Sequence, residues 1–202
     1  YFAISEFGIG KIEKVIPHQY QAVKKEAIDL EKAINNYVSS QSATNTTALL
    51  VALETLKTNL RSKVSHTLAV TSAGWATLYL DFPAEIPTFT GEEAGAYIVT
   101  AVKTGYVTLI PVTGALPANT GIIVKANAGE YNLIVGETAT TNVTGNLLEG
   151  TLFNKNIEEE AYVLGQIDGK VGLYKAKMTD GVWLNNAYNA YLPASEVPNK
   201  SA

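Results

Sequence analysis

From Pro17 onward the apolar residues recur at helical spacing. Val23, Ala27, Leu30, Ile34 and Tyr37 stand at i, i+4, i+7, i+11 and i+14, a single stripe along one face. Pro17 suits a first helical turn, where its missing N–H costs nothing, so the spacing predicts a helix over 17–38. The polar run SSQSATNTT at 39–47 interrupts the period and ends in capping residues. Leu49, Leu53, Leu56 and Leu60 then repeat the stripe and predict a second helix over 46–63. So short a link makes the pair an antiparallel hairpin with facing stripes. Burying one leucine is worth roughly 1.5–3 kcal/mol, and two helices cannot cover every leucine between them. The hairpin is therefore expected to rest on the β unit or on a preceding domain.

On either side of the hairpin the period is two. Residues 1–13, YFAISEFGIGKIE, alternate as a strand with one irregularity, either pairing within this chain or closing a preceding domain. Beyond His66, β-branched and aromatic residues alternate between Gly, Pro and Asn punctuation. Strands are predicted near 67–72, 75–81, 95–102, 106–113, 120–126, 130–135, 160–167, 170–176 and 187–193. Gly114, Asn127, Gly129, Gly136, Gly169 and Gly181 mark the turns. The expected fold class is α+β in segregated units: a strand at 1–16, a helical hairpin at 17–65 and an all-β barrel or sandwich at 66–202.

One hairpin is written twice. AYIVTAVKTGYVTLIPV at 96–112 matches AYVLGQIDGKVGLYKA at 161–176, pairing Ala96-Tyr97 with Ala161-Tyr162 and Val107-Thr108-Leu109 with Val171-Gly172-Leu173. The offset falls from 65 at the first pair to 64 at the second. A three-residue loop at Lys103-Thr104-Gly105 against a two-residue Asp168-Gly169 turn accounts for that residue. LPANTG at 116–121 finds a looser echo in LPAS at 192–195, after an insert carrying Trp183. Amphipathic hairpins share composition by necessity, so coincidence is the alternative. A true repeat predicts two related halves of one core, with Val107, Val171, Leu109 and Leu173 all facing inward and the sheet edges brought together.

AGWATLYLDFPAEIP, GAYIVTAV, LPANTGIIVKANAGEY and the run from AYVLGQIDGKVGLYKA to NNAYNAYLPAS resemble the C-terminal β domain that recurs in secreted and cell-surface multidomain proteins of Bacteroidetes. The resemblance covers about 70–198, with Trp75 where that pattern usually has Tyr and a longer insert around Trp183. The helical pair resembles spacer hairpins of extracellular bacterial proteins, and residues 1–13 resemble the closing strand of a discoidin-like sandwich. These resemblances imply an exported, noncatalytic appendage of a larger surface protein, extracellular or at the cell surface, often one handling glycans. The chain begins at Tyr1 and not Met, which predicts further polypeptide before it.

Composition narrows the chemistry. With no cysteine, disulfides, thiolate metal sites and thiol nucleophiles are excluded. Residues 66–202 carry seven Lys/Arg against thirteen Asp/Glu, a balance that repels nucleic acid. No apolar run approaches a membrane span. His18 and His66 are too far apart in sequence for a metal-ligand motif, and no nucleophile elbow or phosphate loop occurs, so neither metal nor cofactor is expected. Glu85, Glu92, Glu93, Glu130, Glu149 and Glu158 to Glu160 leave a cryptic glycoside hydrolase as a distant alternative.

Aromatics are the suggestive feature, with eleven Tyr and two Trp. Trp183, Tyr188 and Tyr106 are the candidate ligand-binding rings, with Asn185, Asn186 and Asn189 as polar neighbours for a neutral glycan; the competing role for the rings is to close the end of the barrel. The expectation is a noncatalytic structural or accessory module with a glycan or surface protein as partner, the alternative being a carbohydrate-binding module.

Overall fold

The structure is a computed structural model that describes residues 22–136 and 141–198. The strand expected at 1–16, the helix start at Pro17 and His18 lie outside the described residues. The chain divides at His66/Thr67 into two compact units.

The first unit is a helical pair, α1 (Lys24–Ser39) and α2 (Ala43–Lys63). Ser42 caps α2 by accepting from the Asn45 N–H at 3.2 Å. The Asn45 carboxamide donates back to the carbonyls of Asn36 (3.1 Å) and Ser40 (2.8 Å), which satisfies the end of α1 and sets the turn. At the open end, Glu26 Oε1 accepts from Asn59 Nδ2 (2.6 Å) and Lys63 Nζ (2.8 Å). Lys63 is the main reason the Glu26 carboxyl sits below the usual carboxylate range. The buried face of α1 runs through Glu26, Leu30 and Ala33, continued by Val23 at its N-cap. On α2 the inward face turns toward Ala52 and Asn59, which leaves Leu53 on the rim, 46% exposed, although the spacing placed it in the stripe.

The second unit is a β sandwich made of one wiring diagram used twice. Its first half comprises β2 (Trp75–Leu80), β3 (Ala84–Glu85), β4 (Gly95–Lys103), β5 (Tyr106–Val112), β6 (Ala115–Leu116) and β7 (Thr120–Lys125). Its second half comprises β9 (Glu149–Gly150), β10 (Lys155–Ile157), β11 (Ala161–Ile167), β12 (Lys170–Lys175), β13 (Trp183–Asn185) and β14 (Ala190–Pro193). The four-stranded sheets run β2-β7-β4-β5 and β9-β14-β11-β12, and the small ladders are β3 with β6 and β10 with β13. Strand for strand the order is the same. An extra ladder joins β1 (Ser65–Val70) to β8 (Gly129–Ile134).

The registers define which residues correspond. Ala96 and Tyr97 pair with Val124 and Ile123, just as Ala161 and Tyr162 pair with Pro193 and Leu192. Gly121 is therefore the counterpart of Ala190, and LPANTG corresponds to Asn185–Ala190, not to the LPAS stretch. The shared Leu-Pro-Ala letters belong to different positions of the strand. Asn119 and Tyr188 become counterparts as well, and both hold positive φ, 57° and 62°. The residue gained between the hairpins is not in the loop, as the sequence suggested. Lys103 pairs with Tyr106 and Ile167 with Lys170, so both turns contain two residues. The extra residue is Thr100, skipped by the ladder between Val99 and Ala101 as a β-bulge. At the second turn Asp168 and Gly169 both have positive φ, as a type I′ hairpin requires.

The two halves share one core. Val99 and Ile123 of the first half pack with Leu148, Ala190 and Leu192 of the second, and Val107, Leu109 and Leu173 pack against that cluster while Val171 is half-buried. Three of the tyrosines serve the backbone. Each follows a Gly-x pair and folds back over its glycine, with the hydroxyl donating four residues upstream: Tyr97 to Glu93 O (2.6 Å), Tyr131 to Asn127 O (3.0 Å) and Tyr174 to Lys170 O (2.7 Å).

Candidate functional site

Trp183 sits on β13 opposite Ile157 and is only 6% exposed. Its indole N–H donates to the Glu159 carbonyl (2.9 Å), and its ring meets Tyr191 edge-on at 5.2 Å and 84°. It is a wall residue, not the solvent-facing platform the sequence suggested. Tyr188 is half-buried; its N–H donates to Thr151 O (2.7 Å) and its carbonyl accepts from the Tyr79 N–H (2.8 Å), so its backbone links the halves. Tyr106 is 60% exposed at the β4–β5 turn, where Lys103 Nζ lies 5.9 Å from the ring centre. Trp183 lines a cleft that neither Tyr188 nor Tyr106 lines.

The structure does bring together Trp183, Asn185, Asn186 and Asn189. With Thr77 and Lys177 they line a cleft of about 280 Å³ beside Val163 and Leu164. The cause is a divergence of strands. β11 and β14 pair only at Ala161 and Tyr162, as β4 and β7 pair only at Gly95–Tyr97, and beyond those points the strands part.

In the first half the gap is stitched shut. Asn146 Oδ1 accepts from Val99 N–H (3.2 Å), its Nδ2 donates to Gly121 O (2.8 Å), and the Leu147 N–H donates to Val99 O (2.8 Å). In the second half the counterparts of Val99 and Gly121 are Leu164 and Ala190, and both line the open cleft. Counting back along β2 and β9 from the corresponding positions Tyr79 and Gly150, the counterpart of Asn146 is Trp75. Trp75 and Ala76 are held in the ladder with Lys125 and Val124 and do not cross the gap. From β2, Thr77 reaches in, its hydroxyl accepting from the Ala190 N–H at 3.3 Å.

Asn146→Ala is expected to lower unfolding free energy by about 1–3 kcal/mol, because it strands the N–H of fully buried Val99. Urea melts check this, and an unchanged midpoint would show that the stitch contributes nothing.

The amides differ in their commitments. Asn185 is 3% exposed and donates to Thr151 Oγ1 (2.8 Å) and Asn189 O (3.0 Å), so it props the cleft from behind. Asn186 is exposed and Asn189 half-buried, which leaves their carboxamides as the adjustable donors and acceptors.

The carboxylates gather elsewhere. The Tyr191 hydroxyl lies 3.0 Å from Glu149 Oε2 and 3.4 Å from Glu159 Oε1. With one proton to give, it serves the nearer oxygen. Burial first, then Glu149, raises the Tyr191 hydroxyl far above its usual value, so it stays a donor at neutral pH. Both glutamates are exposed and neither lines the cleft. Glu93 and Glu160 are paired with Lys125 (2.6 Å) and Lys175 (2.7 Å). Among the described residues no group of three or more His, Cys, Asp or Glu converges as a metal site, and no helix is long and apolar enough to cross a membrane.

Compared with protein-family models, with curated proteins and with solved structures, the chain finds no match in any of the three.

Asn146, Leu164 and Thr77 escaped the sequence pattern. Their roles follow from where strands part, and the counterparts Asn146 and Trp75 share no chemistry by which an internal alignment would join them.

Proposed function

We propose that this chain is a noncatalytic accessory module of an exported bacterial surface protein. The observation that carries this reading is the use made of the polar and aromatic groups around the cleft. Trp183, Asn185 and Tyr191 spend their donors holding the fold, and the cleft wall offers amides, a hydroxyl and Lys177 in place of carboxylates. The sequence resemblance to the Bacteroidetes β domain supports the exported setting. Wild-type protein is expected to show no turnover on a panel of aryl glycosides. Turnover that Glu149→Gln or Glu159→Gln abolishes would overturn this and install the acidic pair as a hydrolase.

A second reading, a neutral glycan in the cleft, is favoured by the carboxamides of Asn186 and Asn189, which suit ligand hydroxyls. A glycan array decides it: binding that Asn186→Ala weakens about tenfold supports the site, as expected from losing one well-placed hydrogen bond. A blank array removes it.

A further inference from the structure

We infer that the cleft between β11 and β14 is a docking site for an extended peptide carrying asparagine followed by an apolar residue, held as the first half holds its own Asn146-Leu147. This deepens the accessory-module reading by naming the partner's chemistry.

The molecule supplies the template. Around Val99 and Gly121, one carboxamide and the next backbone N–H close the gap with three hydrogen bonds. Leu164 and Ala190 repeat that frame with the gap open. The bond from Ala176 N–H to Ala161 O (2.8 Å) fixes the alternation of the β11–β12 ladder. Ala161 and Val163 therefore bond toward β12, and Leu164 turns its N–H and C=O into the cleft. A docked asparagine places Oδ1 on the Leu164 N–H and Nδ2 on the Ala190 carbonyl. The following N–H donates to the Leu164 carbonyl, and its apolar side chain lies on the Leu164 face, as Leu147 packs with the cluster around Val99.

Two features favour a peptide over a sugar. The ladder with β14 ends at Tyr162, so β11 from Leu164 to Ile167 presents a strand edge on the gap side that an extended peptide can continue. The cleft, at about 280 Å³, also falls just below the roughly 300–1,000 Å³ of pockets that enclose a whole small ligand. It suits one side chain and its neighbour on a longer segment.

The test titrates the full ¹⁵N-labelled chain with the hexapeptide TGNLLE, which copies Thr144–Glu149. Parallel titrations use the same peptide with alanine for asparagine, and N,N′-diacetylchitobiose. TGNLLE is expected to move the amide resonances of Leu164 and Ala190 saturably. The alanine peptide should bind about tenfold more weakly or worse, having lost the carboxamide bonds. Asn189→Phe, which fills the cleft, should abolish the response and leave the remaining spectrum intact; should it fail to fold, the exposed Asn186→Trp takes its place. No movement at Leu164 and Ala190 at millimolar peptide, or equal binding of the alanine peptide, overturns the inference. Movement of those amides by chitobiose alone also overturns it and gives the cleft to a glycan. The accessory-module reading survives these outcomes, since it falls only on turnover.

Discussion

Gly150→Ala is expected to melt the β unit on the order of 10 °C below wild type, and the same substitution in a Tyr79→Gly background, which removes the opposing Cβ as well as the ring, is expected to cost little. A Cβ on Gly150 would overlap the Cβ and ring of Tyr79. Tyr79 cannot swing aside, because its own Cβ is fixed to a strand laddered along β7. The wiring explains the conflict. Tyr79 pairs with Gly121 and Gly150 pairs with Ala190, so Tyr79 and Gly150 are counterparts that the doubled fold brings face to face. Two side chains cannot share that space, and one half supplies a ring where the other supplies none. Gly121 shows a milder form of the same constraint, its ideal Cβ lying 2.8 Å from Leu148 Cβ and 3.1 Å from Ala190 Cβ. Overpacking a tight core costs about 1–3 kcal/mol, and a clash with anchored atoms belongs at the upper end. About 3 kcal/mol gives the stated shift for a domain of this size. A double-mutant cycle reads the coupling directly, and losses that simply add would show that the two residues do not meet.

The long strands were legible because alternation over six or more residues is unambiguous. The strands of two or three residues, such as Ala84–Glu85, Glu149–Gly150 and Trp183–Asn185, are too short to carry a period. Those strands complete each half, and Trp183–Asn185 lines the cleft, so the doubling is visible in the sequence as a repeated hairpin but not as a repeated circuit. The site was half legible for a related reason. The asparagines at 185, 186 and 189 line one cleft, yet their division of labour depends on which one the ladder turns inward. Asn185 is buried because Thr151 and the Asn189 carbonyl satisfy its amide. Trp183 reads as a surface candidate because its segment has no evident counterpart in the sequence, with closing the barrel end as the competing role; the ladder with Ile157 and the edge-on contact with Tyr191 bury it.

A repeated circuit makes its exceptions informative. Where the halves agree, as at the positive-φ pair Asn119 and Tyr188, geometry alone explains the residue. Where they differ, one half must do something the other does not. The first half uses Asn146 to seal its gap, while the second uses a straight β2 and leaves the gap open. The departure from symmetry, more than the chemistry of any single side chain, is what supports the proposed docking of a peptide in the cleft.

Asp81→Asn is expected to stabilise the protein at pH 7 and to make little difference at pH 3.5. Asp81 follows β2, and both carboxylate oxygens are shut off from solvent with no hydrogen-bond partner in any other described residue. Burial pushes its carboxyl above the usual range, opposed only by its own amide. Its charge also helps hold the nearby Tyr79 and Tyr188 hydroxyls above their usual values, after burial in both cases. A folded-state value above the unfolded one means that the native protein binds the proton more tightly. Stability is therefore greatest below the unfolded value of about 3.9 and is lost as pH rises through the folded value, beyond which it is level. Asparagine keeps the shape and removes the charge, so the variant escapes that loss. The expected gain at neutral pH is about 1 kcal/mol, the scale of relieving a buried polar group without partners. Urea melts of both proteins at pH 3.5, 5 and 7 test it: the curves should nearly coincide at the lowest pH and separate as pH rises. A constant difference across the range, or a variant less stable at pH 7, would show that the Asp81 carboxylate is solvated or paired in solution.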